Sequence, residues 1–310
     1  MNQKTKGIVL VLTAACLWGC MGIIVRGLNG LGYSSVDIAF IRCISAGVGF
    51  CAYQKIKTPD VLRIDKKGIL IGLLYGVIAC GISYIGYGFA VQRIPVAVAT
   101  VLMFLNPAWV AIFGKIFFKD ILGRVKICGV IVCLIGAILV SDVLHIEGVR
   151  LDILGILAAI ANSLGRASQI LIPRYFADRY SRDSMLIYGF FGGALFLIPG
   201  IDGELLLEGF SSGMVGQFVL YGFCAGILCT MVANVFYVKA SMYIDTTTTS
   251  ILAAIEIVVS VVIGALVFHE VLNILQTVGI VVVMLGASVP PLWELFGNGE
   301  CGSDLEQAVE

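Results

Sequence analysis

Ten stretches of the chain are near-continuous apolar runs, near residues 7–25, 36–54, 68–91, 95–114, 124–141, 153–172, 184–200, 215–239, 246–268 and 271–292. Each approaches the roughly 20 residues that an α-helix needs to cross a bilayer core. Short polar segments separate them, so the pattern predicts an all-α integral membrane protein with ten transmembrane helices. The first run follows Lys4 and Lys6, and Thr13-Ala14-Ala15-Cys16 faintly resembles a lipoprotein cleavage site. The apolar run before Cys16 is too short for such a leader, so the segment is expected to stay as a span.

The polar segments are not equivalent. With the N-terminus inside, cytoplasmic segments hold 15 of the 20 Lys and Arg residues, the opposite loops hold Arg26, Arg93 and Arg150, and Arg42 and Arg166 fall within spans. That bias predicts both termini in the cytoplasm of a multi-pass protein of the cytoplasmic (inner) membrane. Composition agrees, with 59% hydrophobic and 13% charged residues and a mean hydropathy of +1.02. Soluble domains carry about 25% charged residues, so a soluble enzyme is excluded. Lys+Arg and Asp+Glu both number 20, which leaves no basic face for nucleic acid. The ten cysteines lie mostly inside apolar runs without a Cys-x-x-Cys pair, and read as small helix-packing residues.

The chain also repeats itself. Shifted by 150 positions, Gly72, Gly76, Tyr87 and Ala90 fall on Gly222, Gly226, Tyr237 and Ala240. Gly114, Phe118, Asp120, Gly129 and Gly136 likewise fall on Gly264, Phe268, Glu270, Gly279 and Gly286. In the first span of each half the offset is 148, placing Gly7 on Gly155 and Arg26 on Arg174. The organisation expected is a cytoplasmic N-terminus (1–6), a first five-helix repeat (7–141), an outer linker (142–151), a second repeat (152–292) and an acidic cytoplasmic tail (293–310). Five spans is an odd number, so the second repeat must be inverted. Inverted repeats belong to secondary transporters, which alternate access around a midplane site.

The motifs resemble the EamA family of the drug/metabolite transporter superfamily across about residues 7–291. The resemblance rests on Leu17-Trp18-Gly19 with Arg26, on Phe40-Ile41-Arg42, on Leu105-Asn106-Pro107 and on Ile255-Glu256. Lys119-Asp120-Ile121-Leu122 and His269-Glu270-Val271-Leu272, each followed by a Gly-rich span, complete it. Ile257 stands where a proline is expected, and Arg166 where a Trp-like residue would echo Trp18. The resemblance implies a ten-helix metabolite carrier and does not name the solute.

An ionisable group at the centre of a span costs at least about 2.5–3.5 kcal/mol, so each needs a partner or a cavity. Glu256 lies ten residues beyond Thr246, about 15 Å deep. Its repeat mate is Asn106, and Pro107 beside it should kink the fourth span by freeing the Met103 carbonyl. Asn162, Arg166 and Gln169 share one face of the sixth span. Asn234 and Tyr237 on the eighth and Tyr84 and Tyr87 on the third are further substrate or gating candidates. Arg42 is expected to pair with Asp37 or a carbonyl, in a structural or gating role. Two readings of Arg166 and Glu256 stand side by side: contact with solute, or a fixed ion pair joining the repeats.

The expected function is secondary transport of a small polar metabolite, an amino acid or related zwitterion or organic anion, with efflux favoured. No P-loop occurs, so solute gradients or protons would supply the energy. No cofactor is expected, and His145 and His269 form no metal cluster with other ligands. The lipid bilayer is the expected partner, and an oligomer is compatible with the sequence. The alternatives are a non-transporting membrane subunit or receptor-like protein and, further off, an intramembrane enzyme.

Overall fold

The computed structural model describes residues 2–141, 143, 152–210, 213, 215–269 and 272–296. His145, Arg150, Glu270, most of the 142–151 linker and the tail beyond 296 lie outside the described residues. Among the described residues there are only helices, and nine are long and apolar enough to cross a membrane. We name the rods α1 (Gln3–Gly30), α2 (Ser35–Lys57), α3 (Lys66–Val91), α4 (96–118), α5 (Arg124–Val140), α6 (Ile153–Tyr175), α7 (Arg182–Gly200), α8 (Val215–Ala240), α9 (Thr246–Phe268) and α10 (Ile274–Phe296). Rod α5 is the tenth, a helix of 17 residues, at the short end of the spanning range of about 17–25.

The polar residues between spans start the helices. Ser34 and Asp37 form a capping box on α2, while Asp65, Asp152, Ser181 and Asp245 accept backbone N–H bonds at the starts of α3, α6, α7 and α9. These side chains satisfy donors that a helix start otherwise leaves open.

Rods α4 and α9 are each broken in two. The first consists of α4a (Val96–Met103) and α4b (Asn106–Phe118), the second of α9a (Thr246–Ala253) and α9b (Ile255–Phe268). The breaks, at Phe104–Leu105 and Ala254, match under the 150-residue shift. Pro107 sits in the first turn of α4b, but its mate Ile257 is not a proline. The fourth span thus breaks beside Pro107, and the same break forms in α9 without a proline. Both rods also end on a left-handed residue, Lys119 (φ 58°) and His269 (φ 53°), again 150 apart. Wide i→i+5 turns at Val77–Ile82 in α3 and Cys224–Val232 in α8 form a third matched pair.

Packing repeats in the same way. Helix α1 packs on α8 and on both parts of α9, and α6 packs equivalently on α3 and on both parts of α4. Rods α5 and α10 pack on each other through the matched glycines, Gly136 against Val283 and Gly286 against Cys133. Between α3 and α7, a Cβ on Gly76 would overlap the carbonyl oxygen of Gly189, so that close approach requires glycine. Core side chains such as Phe50, Phe190 and Met185 fill the α2–α3–α7 junction, while Val11, Trp18, Ile170 and Tyr237 fill that of α1, α6 and α8. Ile131 and Ile135 with their mates Val281 and Leu285 face outward, as lipid-facing positions should.

Candidate functional site

The breaks carry the charged chemistry. Glu256 is the second residue of α9b, and its Oε2 accepts from Arg166 Nη2 of α6 at 2.5 Å. Their side chains are only 15% and 13% exposed, so this is a desolvated pair in the span interior. The Arg166 guanidinium also lies 5.3 Å from the ring of Trp18, its own repeat mate. Tyr237 stacks edge-on against Trp18 at 5.1 Å, and its buried hydroxyl has no hydrogen-bond partner among the described residues. Trp18, Arg166, Tyr237 and Glu256 thus form one cluster at the α9 break.

The other predicted residues are placed differently. Asn106, mate of Glu256, opens α4b and keeps a buried Oδ1 without a hydrogen-bond partner among the described residues. Asn162 donates to the Ser83 carbonyl at 2.7 Å and Gln169 to the Ala79 carbonyl at 3.0 Å. Both tie α6 to the wide turn of α3, where i→i+5 geometry leaves carbonyls for side chains to take. Asn234 donates to the Thr230 carbonyl one turn back at 2.7 Å. Tyr87 shares a hydrogen bond with Thr100 Oγ1 at 3.4 Å. Tyr84 lies under the guanidinium of Arg42, 4.1 Å from ring centroid to Arg42 Cζ.

Arg42 departs from expectation. Its Nε donates to Thr230 Oγ1 at 3.1 Å, not to Asp37. Asp37 is already engaged by Ser34 and by the backbone N–H of Asp202, so its oxygens are spent on capping α2 and holding a loop. A crevice of about 710 Å³ lies beside this loop, lined by Gly32, Asp37 and residues 200–205. It is a solvent-open gap between loops, remote from the cluster.

A further set of contacts went unread in the sequence. Arg174, at the end of α6, holds Asp120 with two bonds of 2.6 and 2.7 Å and donates to Thr246 Oγ1 at 2.9 Å. Lys126 pairs with Asp245 at 3.2 Å. Together they fasten the ends of α4b and α6 and the start of α5 to the start of α9a. Arg174 stacks on Phe118 at 4.1 Å and its mate Arg26 on Phe268 at 4.0 Å. The paired offsets of these residues were visible in the repeat and could have flagged them. At this basic end α9a packs on α4b and α5, and α8 on α6; the equivalent pairs at the other end, α4a with α9b and α10 and α3 with α1, make no comparable contact among the described residues.

The profile of the EamA-like transporter family matches residues 5–142 and then 153–289. The chain belongs to this family. It is similar to the "Uncharacterized inner membrane transporter YicL" of Salmonella typhimurium, at 22% identity over 83% of this chain and 85% of that one. It is likewise similar to the "Uncharacterized transporter YxxF" of Bacillus subtilis, at 22% identity over 99% of this chain and 96% of that one. A solved structure titled "Crystal structure of protein" superposes with a TM-score of 0.73 at 17% identity over 93% of this chain and 97% of that one, a likeness of fold. This EamA-like protein is a multi-pass membrane protein with a two-repeat helical fold.

Proposed function

We propose that this EamA-like protein is a secondary transporter that moves a small polar solute bearing an anionic group, such as an amino acid or organic acid, across the cytoplasmic membrane by alternating access. The observation that carries the reading is the mismatch between its two ends. The halves share breaks, wide turns and packing partners, yet among the described residues α9a closes on α4b at the basic end without an equivalent closure at the other. Two halves built alike that differ in which end is closed can exchange roles, which is how inverted repeats alternate access. The basic end is the cytoplasmic one by the positive-inside rule, so the described state is closed to the cytoplasm. Arg166 and Glu256 lie between the two ends, beside the unpartnered hydroxyl of Tyr237, and form the charged floor on which solute rests. Efflux is the favoured direction, and protons are a candidate coupling ion through Glu256.

Metabolite profiling of cells lacking or overproducing the protein identifies the solute and its direction. Transport is then measured with the purified full chain in liposomes. Arg166→Gln and Glu256→Gln should each stop transport. Each should also lower abundance, because breaking a buried pair leaves a charge unmatched at about 3–5 kcal/mol. Exchanging the two residues should return abundance without returning transport. Normal transport by Arg166→Gln would overturn the reading.

A further inference from the structure

Among the described residues, Arg42 is a cation inside a span without a paired counter-charge. It sits seven residues into α2, about 10 Å from the end that stays open. Its contacts are one neutral hydroxyl, Thr230 Oγ1, and one aromatic face, Tyr84. Among the described residues no carboxylate pairs with it. The two guanidiniums of α6 are by contrast matched, Arg166 by Glu256 and Arg174 by Asp120. Around Arg42 the ionisable neighbours are the thiols of Cys43, Cys80 and Cys229 and the phenol of Tyr84.

The geometry also leaves the guanidinium usable. Only Nε is committed, so the two terminal nitrogens keep their four N–H donors. Thr230 is itself fixed, fully buried and donating to the Ala225 carbonyl at 2.7 Å within the wide turn of α8. Arg42 is therefore held by its Nε and its stacked face with the fork unoccupied. Arg42 and Tyr84 are both half-buried.

We propose that Arg42, stacked on Tyr84 and braced by Thr230, is the subsite that binds the carboxylate of the solute. The proposal rests on the carrier reading above. Arg42 and Arg166 against Glu256 leave one net positive charge, which a carboxylate neutralises. A phosphate monoester, with a charge of about −1.5 to −2, would exceed it. The guanidinium fork matches a carboxylate's two oxygens.

The test uses the full chain in liposomes loaded with a labelled mixture of amino acids and short monocarboxylates, and in parallel with the corresponding amides. The wild type is expected to release at least one acid and to leave its amide inside. Arg42→Gln, matched for reconstituted amount and melting temperature, should release that acid at least about tenfold more slowly. If Arg42→Gln fails to accumulate, Arg42→Lys decides. It keeps the charge without the fork, and should raise KM at least about threefold with little change in kcat. A wild-type rate in Arg42→Gln, an unchanged KM in Arg42→Lys, or release of the amide as fast as the acid overturns the subsite and leaves the carrier reading standing. Release of no acid by the wild type overturns the carboxylate-carrier reading, and the subsite falls with it.

Discussion

Asp120→Asn tests whether the basic end is held shut by its polar fastening. Asp120 takes both terminal nitrogens of Arg174, at 2.6 and 2.7 Å, and the two side chains are 11% and 24% exposed. The amide keeps the shape and loses the charge and one of the two acceptors. Hydrogen bonds to charged groups contribute about 1.5–3 kcal/mol net each. Because the two bonds share one carboxylate and solvent reaches part of the pair, we take about 1.5–3 kcal/mol for both. That shifts the ratio of closed to open states about 10- to 150-fold. Backbone amides of α9a exchange with solvent through such openings, at rates proportional to the opening constant. Hydrogen exchange of the reconstituted protein, followed by mass spectrometry, should therefore show Thr246–Ala253 exchanging at least about tenfold faster in Asp120→Asn. Asp152→Asn, which breaks the exposed Arg93–Asp152 pair at the other end, should leave α9a unchanged. Exchange in α9a within about threefold of wild type in Asp120→Asn would refute the assignment of this pair as a latch.

Gly76→Ala should sharply reduce membrane accumulation, since its Cβ meets the Gly189 backbone of α7, whereas Ala at the open Gly22 should have no effect; quantitative immunoblotting of membranes checks both. Pro107→Ala should leave the α4 break in place, because α9 breaks at the equivalent point with Ile257 in that position; a structure of the variant with one continuous helix over 96–118 would contradict this. The Tyr180 hydroxyl at 2.7 Å and then the Gly68 amide hold the Asp65 carboxyl below the ordinary aspartate range. A lowered folded pKa means that its capping contribution is present above the unfolded value of about 3.9 and is lost only as pH falls through the lower folded value; carboxyl-carbon NMR of Asp65 should titrate below that of a free aspartate.

The spans were legible because a bilayer allows so little else, and a run such as Ile274–Phe296 has no other stable fate. The repeat was legible because matched glycines and acids in register are rare by chance. What stayed hidden depends on distances across the bundle. The matching break in α9 has no proline to announce it, since tightened turns at Ala254 come from packing rather than from local sequence. The sequence offers Arg42 either Asp37, five residues back on the same helix, or a carbonyl. The α2–α8 packing instead brings Thr230 to the guanidinium. Asn162 and Gln169 looked like a solute-facing stripe, but the carbonyls they meet are freed by a wide turn whose position no residue type marks.

Two departures from the repeat carry the charge of the central cluster. Arg26 and Arg174 are mates at opposite ends of the molecule and keep their identity, each stacked on a phenylalanine. Trp18 and Arg166 are mates that meet, at 5.3 Å, and here the halves diverge. Asn106 and Glu256 diverge likewise at the two breaks. A single solute at the centre is chemically asymmetric and needs different groups on its two sides. In the proposed carrier cycle, exchange of conformation between the halves would keep Arg166 and Glu256 beside the solute. The charged positions at which the duplicated chain departs from itself, Arg166 and Glu256, are those of the proposed solute site.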